Sequence, residues 1–244
     1  MGVQGLLKEL EGVQRECQLS NYGGLRAAVD ANCWLHAGLA ACALELATGG
    51  SSRAHLSFCM RRVSMMQRAG IDPVLVFDGA PLPAKRATDQ ERQRRRHERH
   101  QEGERRLSHG DLHGARAAFV QAIEVDAEMM SQLVEQLEAA GIKFIIAPFE
   151  ADSQMAYLSA RELVDVCISE DSDLLAHGCS RVLFKLRADG SAKEITLQDA
   201  LRGRSLEEFR AACILMGCDY VRRLPGVGPK RAFGLVDQCG SAPW

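Results

Sequence analysis

The sequence has few aromatic residues, no paired cysteines and no long apolar run, and each shortage narrows the possible functions. Aromatic residues make up 5% of the 244 positions, and the nine cysteines never form a Cys-x-x-Cys pair. Structural zinc sites use closely spaced ligand pairs, so this pattern argues against zinc. Scattered cysteines with apolar neighbours instead predict reduced thiols packed as small hydrophobic residues, and hence an intracellular protein.

Several other signals are missing. No apolar stretch approaches the roughly 20 residues of a membrane span, and the first residues do not have the charged-then-apolar pattern of a signal peptide. Leu6 stands where a myristoylation signal has Ser or Thr. There is no phosphate-binding GxxxxGK[ST] loop, no HExxH and no G-x-S-x-G nucleophile motif. The net charge of −2 does not by itself indicate a nucleic-acid binder.

Short apolar runs alternate with helical patterns along the chain. The runs, rich in Val, Ile and Leu, predict strands at 25–29, 73–77, 143–147, 164–169 and 182–185. Amphipathic segments predict helices at 54–69, 115–125, 126–140 and 205–216, with a further helix beginning near 151. The alternation predicts an α/β domain with a mostly parallel central sheet flanked by helices.

Acidic residues follow four of the predicted strands. Asp30 and Asp78 directly follow apolar runs, and two acid pairs follow the next two runs. The full set of candidate metal ligands is Asp30, Asp78, Glu150, Asp152, Asp171, Asp173 and Asp219. The carboxyl ends of parallel strands lie along one edge of a sheet, so these acids are expected to converge there. All-oxygen ligands favour Mg²⁺ or Mn²⁺, and two such ions suit phosphoryl transfer.

Each acid alone also has an ordinary explanation. A single Asp after a strand is usually a turn residue or a helix N-cap, and Asp152 and Asp173 could cap the helices that follow them. Four acidic strand ends are harder to explain in this way. Two carboxylates 4 Å apart repel by roughly 4 kcal/mol at an effective dielectric of 20, so such a cluster needs cations.

Residues 85–106 are strongly basic and nearly free of apolar side chains. They contain nine Lys or Arg and five Asp or Glu, a local net charge of +4. Lys85, Arg92, Arg96 and Arg99 share one face if the segment is helical. The interleaved glutamates also allow an ordinary solvated helix. Because the sequence also contains the acid cluster, however, we interpret the segment as an insertion that stands off the core and contacts phosphates.

A second nucleic-acid signal is Leu224-Pro-Gly-Val-Gly-Pro-Lys-Arg231. A Gly-hydrophobic-Gly turn between two helices is typical of helix–hairpin–helix modules, in which backbone N–H groups approach a phosphate. An ordinary Gly/Pro turn would have a similar sequence. The trailing Lys230 and Arg231 favour the first interpretation.

Taken in order, the motifs resemble those of the flap endonuclease (XPG) superfamily of structure-specific 5′ nucleases. The matching segments are Met1-Gly-Val-Gln-Gly-Leu-Leu7, Val29-Asp-Ala-Asn-Cys-Trp-Leu-His36, Val76-Phe-Asp-Gly79, Pro148-Phe-Glu-Ala-Asp-Ser-Gln154, Ser169-Glu-Asp-Ser-Asp-Leu-Leu175 and Gly217-Cys-Asp-Tyr220. The resemblance covers essentially the whole chain. It implies a PIN-like nuclease core with a helical arch and a C-terminal helix–hairpin–helix module.

The resemblance also implies residue roles. All seven acids fall on metal-ligand positions for two Mg²⁺ ions, with Mn²⁺ as a substitute, and Lys85 and Arg92 fall on the basic positions that reach the scissile phosphate. The implied DNA contacts are Gly2, His36, Arg95, Arg96, Gly226, Gly228 and Lys230, with K⁺ at the hairpin. The implied substrate is double-stranded DNA with 5′ ends, nicks or flaps, cut by 5′ to 3′ exonuclease and flap endonuclease activity in the nucleus during repair or recombination.

Two departures from the family pattern lead to an alternative hypothesis. Position 32 is Asn32, where an aromatic residue that stacks on a base is expected, and the chain ends at Trp244, soon after the hairpin. We therefore expect altered substrate positioning and an incomplete hairpin module. A DNA-end-binding protein that no longer cuts is the alternative, and a PIN-like RNA nuclease is a third possibility.

The predicted domain boundaries follow from these segments. Residues 1–84 and 126–204 would form the two parts of the nuclease core, 85–125 the arch insertion, and 205–244 the hairpin module.

Overall fold

The computed structural model describes residues 2–239, which form an α/β fold around one seven-stranded sheet. The strands are β1 (Arg15–Gln18), β2 (Arg26–Asp30), β3 (Asp72–Phe77), β4 (Lys143–Ile146), β5 (Val166–Ile168), β6 (Arg181–Phe184) and β7 (Ser191–Thr196). The helices are α1 (Leu6–Glu9), α2 (Ala31–Leu39), α3 (Ala43–Ala47), α4 (Ala54–Arg68), α5 (Arg86–Ser108), α6 (Leu112–Ala122), α7 (Ala127–Ala139), α8 (Ala151–Ala160), α9 (Asp173–His177), α10 (Leu197–Leu201), α11 (Leu206–Met216) and α12 (Pro229–Cys239).

The strand order is β1-β7-β6-β5-β2-β3-β4. Neighbouring strands from β6 to β4 are parallel, and β7 runs antiparallel to both β6 and β1. The prediction of a mostly parallel central sheet is therefore confirmed, and the five predicted strands are present within two residues at each end. The strands β1 and β7 were missed because their sequences are largely polar; β1 is mostly exposed, and β7 is only partly buried.

The central strands are buried on both faces of the sheet. Ala28, Val76 and Cys167 belong to one hydrophobic cluster, whereas their neighbours Val29 and Leu75 belong to the other. Successive side chains in a strand point to opposite faces, so both faces need apolar residues. This requirement explains why the predicted strands read as unbroken apolar runs.

The basic segment predicted to stand off the core is a single helix, α5, with Gly103 as its one buried residue. It packs against α6 rather than the sheet, and a Cβ at Gly103 would lie 2.6 Å from the ring of Phe119. Around this contact Ala43, Ala115 and Phe119 form a small separate hydrophobic cluster. The predicted helix at 115–125 corresponds to α6, which begins and ends three residues earlier.

After α11, a loop leads to α12, which packs back on α11. The rings of Phe209 and Phe233 lie 5.8 Å apart, and Val227 in the loop is 7% exposed. Gly226 has a φ of 75°, a left-handed conformation that suits glycine. These helices lie where the hairpin module was predicted, while a role as a DNA-binding module stays a prediction. Trp244, on which the expected incompleteness rested, lies outside the described residues.

In the described part of the chain, no helix combines the length and apolar character needed to cross a membrane.

His55 in α4 is buried against α2 without a hydrogen bond. It is 2% exposed, and neither ring nitrogen has a partner among residues 2–239. A Cβ at Gly38 of α2 would lie 2.7 Å from the Cα of His55, so the two helices touch here. Burial lowers the pKa of His55 below its ordinary value, because the charged ring loses its hydration.

We expect the free energy of unfolding to decrease as the pH falls below about 6.5, where an unfolded histidine takes up a proton that buried His55 resists. His55→Leu should remove this contribution. The free energy of unfolding of the variant should therefore fall less than that of the wild type between pH 7.5 and pH 5. Urea unfolding at both pH values measures it. His113→Leu, at an exposed site on α6, is the control. Equal pH dependence of wild type and His55→Leu would contradict the expectation.

Candidate active site

The predicted acids gather at the carboxyl edge of the parallel strands. Asp30 is the last residue of β2, and Asp78 directly follows β3. Glu150 and Asp152 lie at the start of α8, and Asp173 begins α9. The charges of Asp171, Asp30, Asp173 and Asp78 all act on Asp152, after burial the main causes of its raised pKa. The sheet therefore brings together residues from four distant segments of the chain.

Backbone and hydroxyl donors hold the buried acids. The carboxylate of Asp30 accepts a hydrogen bond from the Cys33 N–H at 3.0 Å and one from the Ser169 hydroxyl at 2.8 Å. Asp173 accepts from the Val3 N–H at 2.7 Å, and Asp171 accepts from the Asp173 N–H at 2.9 Å. Asp30 therefore does cap α2, but neither Asp152 nor Asp173 caps the helix that follows it. For those two, the ordinary explanation from sequence is wrong.

Asp152 differs from the other acids because no donor within residues 2–239 forms a hydrogen bond with its carboxylate. Burial raises the pKa of Asp152 well above its ordinary value, and the neighbouring carboxylates raise it further. Burial, Asp171 and Asp219 together raise the pKa of Asp173 to about 6, although the Val3 N–H and Lys85 oppose them. The cluster thus carries more negative charge than the protein's own donors neutralise.

Two cations from the start of the arch partly neutralise the acids. The ammonium group of Lys85 lies 2.5 Å from Glu150 Oε1 and 3.1 Å from Asp219 Oδ2. Arg92 Nη2 lies 2.7 Å from both Asp219 oxygens. Burial alone would raise the pKa of Asp219, but Lys85 and Arg92 outweigh it and hold that pKa below its usual value. The same acids raise the pKa of Lys85 despite its burial, so the lysine stays charged.

Other arginines of α5 bond to glutamates instead. Arg94 and Arg95 pair with Glu91 of the same helix, and Arg96 pairs with Glu124 beyond α6. For Arg94 and Arg95 the structure agrees with the solvated, salt-bridged helix that the sequence also allowed. Arg95 nevertheless lines a cavity of about 850 Å³ that reaches Asp219.

The remaining predicted DNA contacts lie at varying distances from the acids. Gly2 is next to the cluster, since a Cβ there would lie 2.3 Å from Asp171 Oδ1. His36 lies on α2 with part of its surface exposed, and the partial desolvation of its ring, followed by the charge of Arg96, lowers its pKa. Gly226 and Gly228 lie in the loop before α12, and Lys230 is exposed in its first turn. No contact brings these last three residues to the acid cluster within the described residues.

Sequence reasoning missed two side chains of the site, Tyr220 and Ser169, and singled out Asn32 without foreseeing that it bonds to an acid. The Tyr220 hydroxyl donates to Glu150 at 2.7 Å, and its ring lies 4.9 Å from the Lys85 ammonium. Ser169 donates to Asp30 and accepts from the Asp171 N–H at 3.0 Å. The Asn32 amide donates to Asp78 Oδ2 at 2.5 Å. All three lie within the quoted motifs, next to or two residues from an acid, which is the signal that could have identified them.

Comparisons with known proteins agree with this architecture. The XPG N-terminal domain matches residues 1–99 and the XPG I-region matches residues 141–219. Exonuclease 1 of Xenopus laevis is 39% identical, over 97% of this chain and 33% of that protein. Exodeoxyribonuclease 1 of Saccharomyces cerevisiae is 36% identical, over 97% of this chain and 35% of that protein. The chain thus spans about a third of the length of these curated relatives.

Solved structures share the fold. The catalytic core of Rad2 in complex with DNA substrate has a TM-score of 0.77 at 26% identity, covering 97% of this chain and 68% of that one. Flap endonuclease-1 from Methanococcus jannaschii has a TM-score of 0.71 at 22% identity, covering 98% and 78% of the two chains. With both XPG regions in order, acids at the expected sheet edge and exonuclease 1 among its relatives, the chain belongs to the XPG family.

Proposed function

We propose that this chain is a metal-dependent 5′ nuclease that hydrolyses double-stranded DNA from 5′ ends and nicks and also cuts 5′ flaps. The observation that carries the proposal is the acid cluster at the sheet edge, with Lys85 and Arg92 of the arch bonded to its outer members. The names of the relatives, exonuclease 1 and a DNA-bound Rad2 core, support DNA as the substrate. The same eukaryotic relatives support a role in DNA repair or recombination in the nucleus.

The donor set suits Mg²⁺, with Mn²⁺ as a substitute. Every candidate ligand is a carboxylate, and the buried acids raise one another's pKa values, so a divalent cation would relieve their repulsion. Within residues 2–239, no three His, Cys, Asp or Glu side chains already form a preformed metal cage. In this structure Lys85 and Arg92 hold the carboxylates of Glu150 and Asp219 instead.

The proposed ligands are the seven acids named above. When bound, two such ions would activate a water molecule and stabilise the leaving oxygen of a phosphodiester. The protein's own contribution is to fix the carboxylates through the donors from Cys33, Ser169, Val3 and Asp173.

The cations of the arch are proposed to bind the phosphate that is cut. Arg92 presents a guanidinium that can form two parallel bonds to a phosphate, whereas here its Nη2 alone donates to both Asp219 oxygens, and Lys85 adds a point charge. A phosphate at the acid edge would compete with Glu150 and Asp219 for these groups. The 850 Å³ cavity, lined by Gly2, Arg92, Arg95, Arg222 and Arg223 beside Asp219, is the proposed path for a DNA strand.

The loop before α12 is proposed to hold the uncut duplex as the hairpin of a helix–hairpin–helix module. Gly226 and Gly228 would let backbone groups approach a phosphate, with K⁺ held by the loop's carbonyl groups and Lys230 adding charge. The packing of α12 against α11 supports a fixed position for this loop.

Purified protein should release nucleotides from a 5′-labelled blunt duplex and cut a 5′ flap with Mg²⁺, and should do neither with chelator. Asp173→Ala should lower the rate by at least about 100-fold, the range seen when one electrostatic contact to a transition state is lost. Binding of the flap, measured by fluorescence anisotropy in chelator, should change little. Glu138→Ala, an exposed acid of α7, is the control.

Degradation that starts at the 3′ end, or that proceeds equally in chelator, would contradict this proposal. Binding of flaps without any cutting would favour the non-cleaving alternative. Faster cutting of the matching RNA would favour an RNA nuclease.

Lys85→Ala and Arg92→Ala should lower the rate constant for cutting more than they weaken DNA binding, because both cations act at one phosphate among many. Single-turnover cutting and anisotropy on the same flap separate the two effects. Arg68→Ala, an exposed arginine at the end of α4, is the matched control. Equal loss of binding and cutting would show instead that the two residues serve only general DNA attraction.

Asp173→Asn should raise the stability of the metal-free protein at pH 8. The folded carboxyl has a pKa of about 6 against an ordinary 3.8, so ionisation disfavours the folded state as the pH rises through this range. The gain should be about 2–3 kcal/mol at pH 8 and vanish below about pH 4. Denaturant unfolding in chelator measures it, and Mg²⁺ should stabilise the wild type more than the variant. If the variant were less stable than wild type at pH 8, ionised Asp173 would not be destabilising the folded protein, and the expectation would be wrong.

A further inference from the structure

Asp78 is held differently from the other acids at the sheet edge. Asp30, Asp171 and Asp173 are buried and accept hydrogen bonds from backbone N–H groups. Asp78 lies exposed on the loop after β3, where burial does not fix its side chain. One of its oxygens accepts from the Ala151 N–H at 2.8 Å, and the other accepts from Asn32 Nδ2 at 2.5 Å. Removing Asn32 would leave the Asp78 carboxylate with a single anchor.

The orientation of the Asn32 amide follows from its surroundings. With the amide reversed, Oδ1 would lie 2.5 Å from a carboxylate oxygen, with no hydrogen between them. Nδ2 therefore faces Asp78, and Oδ1 is buried without a donor among residues 2–239. The bond from Nδ2 to Asp78 is therefore the one hydrogen bond that holds the Asn32 amide within residues 2–239.

The position of Asn32 couples two neighbouring acids. It lies in the first turn of α2, two residues after Asp30, whose carboxylate caps the same helix. The strands β2 and β3 pair in parallel with Asp30 opposite Val76, so their ends are adjacent. The Asn32 amide thus crosses from the end of β2 to the acid at the end of β3.

We propose that Asn32 is a positioning residue, whose amide fixes the Asp78 carboxylate in the orientation needed to bind a divalent cation together with Asp30. The inference rests on the proposed metal-dependent nuclease function. Groups that orient metal ligands contribute strongly to metal affinity, and their loss typically costs about 10- to 100-fold. Asn32 does not touch the reacting phosphate in this proposal, so its effect should appear in metal binding first.

The affinity for Mn²⁺ is measured by titrating the protein with Mn²⁺ in the absence of DNA and following free Mn²⁺ by electron paramagnetic resonance. Asn32→Leu, similar in size but without a donor, should weaken the tighter binding step about 10- to 100-fold. Asn32→Gln keeps an amide donor and should lose less. Flap binding in chelator should be the same for all variants. Asn21→Leu is the matched control, because Asn21 is exposed and its side chain bonds only to Ser20 within residues 2–239.

The outcomes separate this inference from the proposed function. If the wild type neither binds Mn²⁺ nor cuts DNA, the proposed function fails. If the wild type does both and Asn32→Leu binds Mn²⁺ equally well, only the inference fails. Equal losses in the Leu and Gln variants would show that the side chain's shape matters rather than its donor, and would also overturn it. Circular dichroism and the thermal midpoint establish that each variant is folded.

Discussion

Repulsion among carboxylates at one edge of the sheet is the constraint on which the rest of this site depends. Asp152 lies among four other acids, and burial deprives it of the water that would screen them. Like charges at about 4 Å cost several kcal/mol per pair, so an uncompensated cluster would oppose folding. The acids are instead stabilised by N–H donors at helix starts and by two cations, Arg92 of α5 and Lys85 just before it. Those cations neutralise only part of the negative charge of the cluster, so metal ions could neutralise the remainder.

The parallel sheet creates the constraint in the first place. The five parallel strands β2 to β6 all end at the same edge of the sheet, and α2, α8 and α9 begin just beyond three of them. The acids that follow four of these strands therefore lie close together. The strands have little freedom to shift, because a shift of one residue would move every side chain to the opposite face of the sheet, where different neighbours are packed. Burial of the core thus also fixes the positions of the acids.

Much of this arrangement could be predicted from the sequence, for a physical reason. Strands buried on both faces must be apolar throughout, so runs such as Val74-Leu-Val-Phe77 are conspicuous, and the acids after four of the five runs mark the edge. The strands β1 and β7 carry many polar residues, and only pairing identifies them, of β7 with β6 and of β1 with β7. The DNA contacts expected at the hairpin, and the domain boundaries, stay predictions, since no ligand or dissected domain tests them.

The side chains that hold the acids were less predictable than the acids themselves. Tyr220 and Asn32 act through single hydrogen bonds across 70 and 46 positions of sequence, and no periodicity records such pairs. Likewise, α5 looked uniformly basic. In the structure Arg92 and Lys85, which directly precedes the helix, reach the acids, whereas arginines such as Arg94 are neutralised by glutamates of the same helix. Composition gives the charge of a segment, but the fold decides which charges reach the site.

The site is assembled from segments that are far apart in the chain, and this links metal binding to folding. Val3, Asp30, Asp78, Asp173 and Asp219 come together only when the sheet, the arch and α11 are all in place. An unfolded chain would present isolated carboxylates, which bind divalent cations weakly. A cation that binds the folded cluster must therefore stabilise the fold in proportion to its affinity. The repulsion that destabilises the metal-free cluster is therefore energy that a bound divalent cation would relieve.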